Sequence, residues 1–265
     1  MWKWTLLLLL GSVAASPAET FDPFAGSRPV AVLVQENPWA LVIGADTPRI
    51  AIYDNGEVIY ARDLPKGKGK VYFHTELGLG ELSALMEKLD ALADVPDLKP
   101  SYTLTHETDL GHARIYLDLD GREVATSVYG LLPGHESPDP GMDTVPAPLL
   151  RLYDYLYAIG FSESTRWHPT YVEAMVWPYA DAPDDALQWP ASWPDLHSPR
   201  TRQRNGNAYS IFLDGSLQDD LARFLATKTD QAAVAIDGQK WAIATRPVFP
   251  SEPVWRKAFE KISGE

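Results

Sequence analysis

Apolar residues recur along this chain at two spacings, every second position and every third or fourth, and the two alternate. Around Asn55-Gly56, the apolar residues Ile50, Ile52, Tyr53, Val58, Ile59 and Tyr60 flank a turn dipeptide that tolerates positive φ angles. This pattern predicts a hairpin with a two-residue loop, Ile52 facing Ile59 and Tyr53 facing Val58. The same grammar predicts hairpins over residues 113–128, turning at Asp120-Gly121 with Leu117 opposite Val124, and over residues 232–246, turning at Asp237-Gly238. Residues 171–177 and 209–213 read as further strands. Helical spacing appears at Leu82, Leu85, Met86, Leu89 and Leu92, stopped by Pro96 and Pro100. It returns at Leu149, Leu152, Tyr153, Leu156 and Ile159, opened by Pro148 and closed by Gly160. A third helix carries Leu217, Leu221, Phe224 and Leu225, with Ser216 as expected N-cap and Asp219 and Asp220 in its first turn. A fourth spans residues 253–262, with Val254, Trp255, Ala258, Phe259 and Ile262 on one side.

Strands and helices mixed in this way imply an α+β fold, antiparallel hairpins packed with a few helices. The order of strand, helix and Asp-Gly hairpin occurs twice, so two related α+β halves are one reading and two unrelated pieces the other. The expected boundaries are an N-terminal half over residues 19–132, a Pro/Gly-rich linker over 133–148 and a C-terminal half over 149–265. Ahead of these, Lys3, a leucine run at residues 6–10 and the small residues Ala15 and Ala18 have the three parts of a signal peptide over residues 1–18. The apolar run is shorter than the ~20 residues a spanning helix needs, so the expectation is cleavage and an exported protein, periplasmic or secreted, with no membrane span left.

Composition narrows the function classes. The 265 residues are 45% hydrophobic and 22% charged, globular values that exclude disorder as an overall description. A net charge of −13 weighs against nucleic acid, because a phosphate binder needs a basic face. Without cysteine there is no disulfide, thiolate ligand or thiolate nucleophile. In an oxidising compartment the core alone must stabilise the fold.

Candidate chemistry is sparse. His106, Asp109 and His112 form the densest histidine neighbourhood, but their spacing is wrong for the helical His-Glu-x-x-His motif. A surface metal site of these three residues remains as an alternative to a polar loop. Asp118-Leu-Asp120-Gly121 lacks the later ligands of a calcium loop and reads as a turn. No serine-nucleophile or dinucleotide motif occurs, and no cofactor is expected. The unusual feature is aromatic: Trp167-His-Pro, Trp177-Pro, Trp189-Pro and Trp193-Pro crowd one connection. Rings stiffened by proline suit a stacking platform, although covering a core is the ordinary use of tryptophan. Arg200, Arg202 and Arg204 follow, and with Lys66, Lys68 and Lys70 they read either as solvated loops or as contacts to anionic envelope polymer. The candidate binding residues are thus Trp177, Trp189, Trp193, Arg200 and Arg202.

The run Pro48-Arg-Ile-Ala-Ile-Tyr-Asp-Asn-Gly-Glu-Val-Ile, the leucine-striped helix, the Asp120-Gly121 hairpin, the Trp-Pro segment and Arg246-Pro-Val-Phe-Pro250 together resemble a group of uncharacterised exported bacterial proteins, several of them predicted lipoproteins. The resemblance covers residues 48–250. This chain departs from the group in lacking the lipid-anchor cysteine, and the group implies no activity. Three functions fit this sequence: a non-catalytic envelope binding protein whose partner is a glycan or another exported protein, a carbohydrate hydrolase using paired carboxylates, and an accessory or inhibitory protein. Two carboxylates about 5–10 Å apart in a cleft would favour the hydrolase, and exposed tryptophans the binder.

Overall fold

The computed structural model describes residues 21–39, 45–65, 69–134 and 138–263. The expected signal peptide and the lysines Lys66 and Lys68 lie outside them. Among the described residues no helix is long and apolar enough to cross a membrane.

The chain is an α+β protein built on two mixed sheets. The first has eight strands in the order β5-β7-β6-β1-β2-β3-β4-β8. They are β1 Pro29–Gln35, β2 Pro48–Tyr53, β3 Glu57–Asp63, β4 Lys70–Glu76, β5 Ser101–Thr103, β6 His112–Leu119, β7 Arg122–Tyr129 and β8 Thr165–Arg166. The second has six, in the order β10-β13-β14-β9-β12-β11: β9 Tyr171–Pro178, β10 Asp184–Gln188, β11 Thr201–Gln203, β12 Tyr209–Asp214, β13 Ala232–Ile236 and β14 Gln239–Pro247. Among the described residues four α-helices accompany the sheets, α1 Leu79–Ala93, α2 Ala147–Ala158, α3 Gln218–Ala226 and α4 Glu252–Ser263.

Each sheet is organised around its opening strand. β1 pairs antiparallel with β2 on one side and with β6 of the β6–β7 hairpin on the other. β9 likewise lies between β12 and a strand of the β13–β14 hairpin. In the first sheet the earlier hairpin strand docks on the opener, in the second the later one. An edge strand then runs parallel to the outer hairpin strand in both cases, β5 beside β7 and β10 beside β13.

The first sheet is covered on both faces. Leu33, Ile50, Ile52, Val58, Ile115 and Leu117 meet Leu85 and Leu89 of α1 and Leu149, Leu152, Tyr153 and Leu156 of α2. On the other face Val32, Tyr53, Ile59 and Tyr116 pack on Trp255 and Phe259 of α4. With both faces buried, β1 reads as an unbroken apolar run, Val30 to Val34, that no alternation announces. The second sheet packs one face on α3, through Leu221, Phe224 and Leu225.

Two elements assigned from sequence to the C-terminal half therefore belong to the layers around the first sheet. These are α2, in one face, and α4, in the other. β8 also joins that sheet, pairing with Phe73 and His74 of β4. The reason is chemical: the stripe of α2 is wholly apolar and must be covered, and the first sheet offers the open apolar face.

The turns separate into two kinds. Asp120-Gly121 and Asp237-Gly238 are two-residue loops with both residues at positive φ, 50° and 87° in the first and 50° and 74° in the second. Leu117 faces Val124, as the pattern predicts. Asn55-Gly56 is different. Ile52 pairs with Val58, not Ile59, and only Gly56 has positive φ, at 88°. The Gly56 N–H donates to Tyr53 O at 3.0 Å, so the loop is one residue longer than expected. The α3 start also differs. Ser216 lies within a 3-10 turn, Gly215–Leu217, and the helix begins without a side-chain cap. Gly215 is needed there because a Cβ would stand 1.6 Å from Pro169 O.

A buried ionic cluster joins the second sheet to α4, which packs on the first. Arg246 of β14 sits opposite Glu173 of β9 and bridges it at 2.5 Å. Its other amine reaches Glu252 of α4 at 2.7 Å, and Glu252 also holds Arg256. Ser210 and Arg204 complete the shell of Glu173. Burial pulls the Glu252 carboxyl upward, but the Arg246 and Arg256 guanidinia outweigh it and hold it below the usual range.

Candidate functional site

The cluster holds α4 against the second sheet, and a cleft of about 390 Å³ opens where the chain passes from β8 to β9. Four ionisable side chains line it, Glu57, His74, Arg166 and His168, with Ser27, Thr170, Trp167 and Pro250 around them. Their placement follows from pairing. Antiparallel β3–β4 puts Glu57 at the strand end opposite Glu76, and β4–β8 sets His74 opposite Thr165. His74 Nε2 and Thr165 Oγ1 are 2.7 Å apart, which orients the imidazole. The Trp167 N–H then donates to Tyr72 O at 2.9 Å, and its buried indole packs 4.8 Å from the Phe249 ring. That anchor leaves Arg166 and His168, one on either side of it in sequence, exposed at the cleft. Among the described residues Arg166 has a loose ion-pair partner, Asp219, at 3.9 Å.

Burial pushes the Glu57 carboxyl up, His74 counters it, and the like charge of Glu76 adds to it. The cleft therefore sets one half-buried, proton-retentive carboxyl among one guanidinium and two imidazoles. Such a lining can hold an anionic group on Arg166 and the imidazoles while Glu57 accepts a hydrogen bond from a neighbouring hydroxyl or amine. Among the described residues no group of three or more histidine or acidic side chains is arranged to hold a metal ion. Past Ala25 and Thr170, which border both, a second cleft of about 610 Å³ is lined by Phe21, Asp22, Tyr171, Pro199 and Arg200.

The residues singled out from sequence fall in several places. Trp189 is 9% exposed, and its Nε1 donates to Pro194 O at 2.9 Å. Its ring lies 5.0 Å from Trp193, and Trp193 lies 5.6 Å from Phe224 of α3. These two indoles form an inward aromatic corner of the second sheet's core instead of an open platform. Trp177 is half-buried on β9, opposite Ala242. The exposed indole among the described residues is Trp39, 72% exposed and far from the Trp-Pro run in sequence. Arg200 pairs with Asp214 at 2.8 Å and lies over the Phe21 and Tyr171 rings. Arg202 donates to Phe21 O and lies over Phe24 and Phe212. Both arginines thus clasp the N-terminal lead-in, and Arg200 also lines the second cleft.

The histidine loop is not assembled as a metal site. The His106 ring contacts Pro140 O at 3.2 Å, whereas His112 Nδ1 bonds Ser127 Oγ at 2.8 Å and its ring packs on Tyr129. Asp109 is an exposed turn residue with φ 63°. Sequence reasoning passed over Glu57, His74 and Arg166. Only His168, within Trp167-His-Pro169, stood inside a segment already marked.

Comparison with protein-family models, with curated proteins and with solved structures finds no match to this chain.

Proposed function

We propose that this chain is an exported, non-catalytic binding protein of the bacterial envelope, and that its ligand seats in the cleft where β8 leads into β9. The observation that carries the reading is the convergence of Glu57, His74, Arg166 and His168 on one concave site. A lining of both signs favours a polar ligand with one anionic group and a nearby hydroxyl or amine, as in an acidic envelope glycan fragment. The leader-like N-terminus and the resemblance to exported proteins support the location. Tryptophan stacking is no longer the basis of the reading, because Trp189 and Trp193 pack inward. Arg200, lining the adjoining cleft, keeps a place in it.

The hydrolase reading draws on one specific observation, the raised Glu57 carboxyl beside His74. A glycosidase places its second carboxylate across the scissile bond. Glu57 is the one carboxylate among the cleft's described lining residues, and Glu76 lies beside it on the neighbouring strand. That arrangement favours binding. Calorimetric titration with acidic and neutral envelope glycan fragments, together with chromatography of the incubated fragments, tests the proposal. Saturable binding of acidic fragments, weakened about tenfold or more by Arg166→Gln and without cleavage, is the expected result. Cleaved fragments would establish the hydrolase instead. Binding unaffected by Arg166→Gln, or no binding, overturns the cleft as the site.

A further inference from the structure

Helix α1 has more apolar surface than the first sheet covers. Leu85, Leu89 and Ala93 are buried against it. Leu82 and Met86, one turn apart on an adjacent face, are only partly buried, and Leu79 in the first turn is 89% exposed. With Leu119 at the end of β6 these three line a groove of about 590 Å³ between α1 and the tip of the β6–β7 hairpin. Its polar border is acidic: Glu87, Asp90 and Asp120, with Ser83. Asp90 bridges Arg122 at 2.5 Å, whereas Glu87 and Asp120 have no ion pair among the described residues.

We propose that this groove docks a short amphipathic helix of a partner protein, with lysine or arginine beside its apolar side chains. Leu79, Leu82 and Met86 stand at i, i+3 and i+7 of α1, an apolar strip two turns long along which the apolar side of a short helix can lie. Methionine at the centre adapts to differing apolar anchors. Charge selects among occupants. A second copy related by a two-fold axis would bring the same carboxylates face to face. An anionic lipid surface would be repelled by the border and by the net charge of −13. A basic helix meets complementary charge at the border and apolar surface at the floor.

The test is fluorescence anisotropy on the full chain with a labelled lysine–leucine peptide of amphipathic pattern and a permuted peptide of equal composition with no apolar face. The amphipathic peptide should bind at least about tenfold more tightly than the permuted one. Leu79→Ser, exposed and so without consequence for folding, and Met86→Ser should each weaken it about fivefold. Glu87→Lys should weaken it and flatten its salt dependence. Equal binding of the two peptides overturns the proposal, as does indifference to Leu79→Ser and Met86→Ser together. Sedimentation and vesicle flotation distinguish the other occupants. A dimer abolished by Leu79→Ser, or vesicle binding abolished by it, would assign the groove elsewhere and overturn it as well.

Discussion

At Glu57, burial and the facing Glu76 oppose ionisation while His74 favours it, and the net result is a carboxyl raised from its usual 4.5. A raised carboxyl binds its proton more tightly in the folded state. Its stability contribution is therefore complete below the ordinary carboxyl range and is lost as pH rises through the raised value. Glu57→Gln, which cannot ionise, should be more stable than the parent at neutral pH by roughly 0.2–1 kcal/mol, the scale of one like-charge cross-strand pair. Urea denaturation from about pH 4 to pH 7 should show the difference growing with pH. A variant less stable at neutral pH would mean that His74 outweighs burial. At Trp193 packing dominates, since its ring meets both Trp189 and Phe224. Trp193→Ala should cost about 2–4 kcal/mol by chemical denaturation, below a fully buried aromatic because the indole is partly exposed. A loss under about 1 kcal/mol would restore the stacking platform.

At the level of elements, the three Gly turns behave as two classes. A Cβ at Gly121 meets no atom within 4 Å, so its only penalty is the φ of 87°. At Gly56 the φ is similar, 88°, but a Cβ would also stand 2.5 Å from the backbone oxygen of Leu77. Gly121→Ala should therefore cost about 1 kcal/mol and Gly56→Ala more than about 2 kcal/mol. Melting of the two variants side by side checks the order. Equal losses would place the Leu77 chain further away. The longer loop at Gly56 has a consequence for faces. With Ile52 on Val58, both residues join Ile50 and Tyr60 in the core under α1 and α2, while Ala51, Tyr53 and Ile59 face α4. Moving one strand by one residue would exchange those sets.

Across the whole molecule, Glu173, Arg246, Glu252 and Arg256 tie the second sheet to α4, whose apolar side packs on the first. Removing one partner of a buried pair strands the other charge, which costs about 3–5 kcal/mol. Glu252→Ala should lose that much, because it leaves Arg246 with Glu173 alone and releases Arg256. Arg246→Met with Glu252→Met should recover part of it, since Glu173 then keeps Arg204 and Arg256 keeps the Asp46 carbonyl while both charges of the Arg246–Glu252 pair are gone. Denaturation of both variants measures the difference; a double variant as weak as Glu252→Ala would show that the cluster is intrinsically favourable. The sign with pH follows from the depressed Glu252 carboxyl. Its contribution holds above the ordinary carboxyl range and fades as pH falls through the lowered value. Acid should thus loosen the hold of α4 on the second sheet while it relieves Glu57.

The sequence by itself determined the α+β class, four helices, two tight Asp-Gly hairpins and a non-basic surface. Each of these is written in residues a few positions apart: the 3.6 and 2 periods of side-chain direction and the φ tolerance of glycine. It did not determine β1, whose two buried faces erase alternation. Nor did it separate the α1 stripe into Leu85 and Leu89 on the sheet and Leu82 and Met86 in a groove, because both sets share one helical spacing. The cleft lay furthest from local signals. Glu57, His74, Arg166 and His168 come from two neighbouring strands and a connection about ninety residues later, joined when β8 pairs with β4. Only tertiary structure decides such a site, because hydrogen-bond pairing and apolar burial between distant segments set which polar side chains share a space.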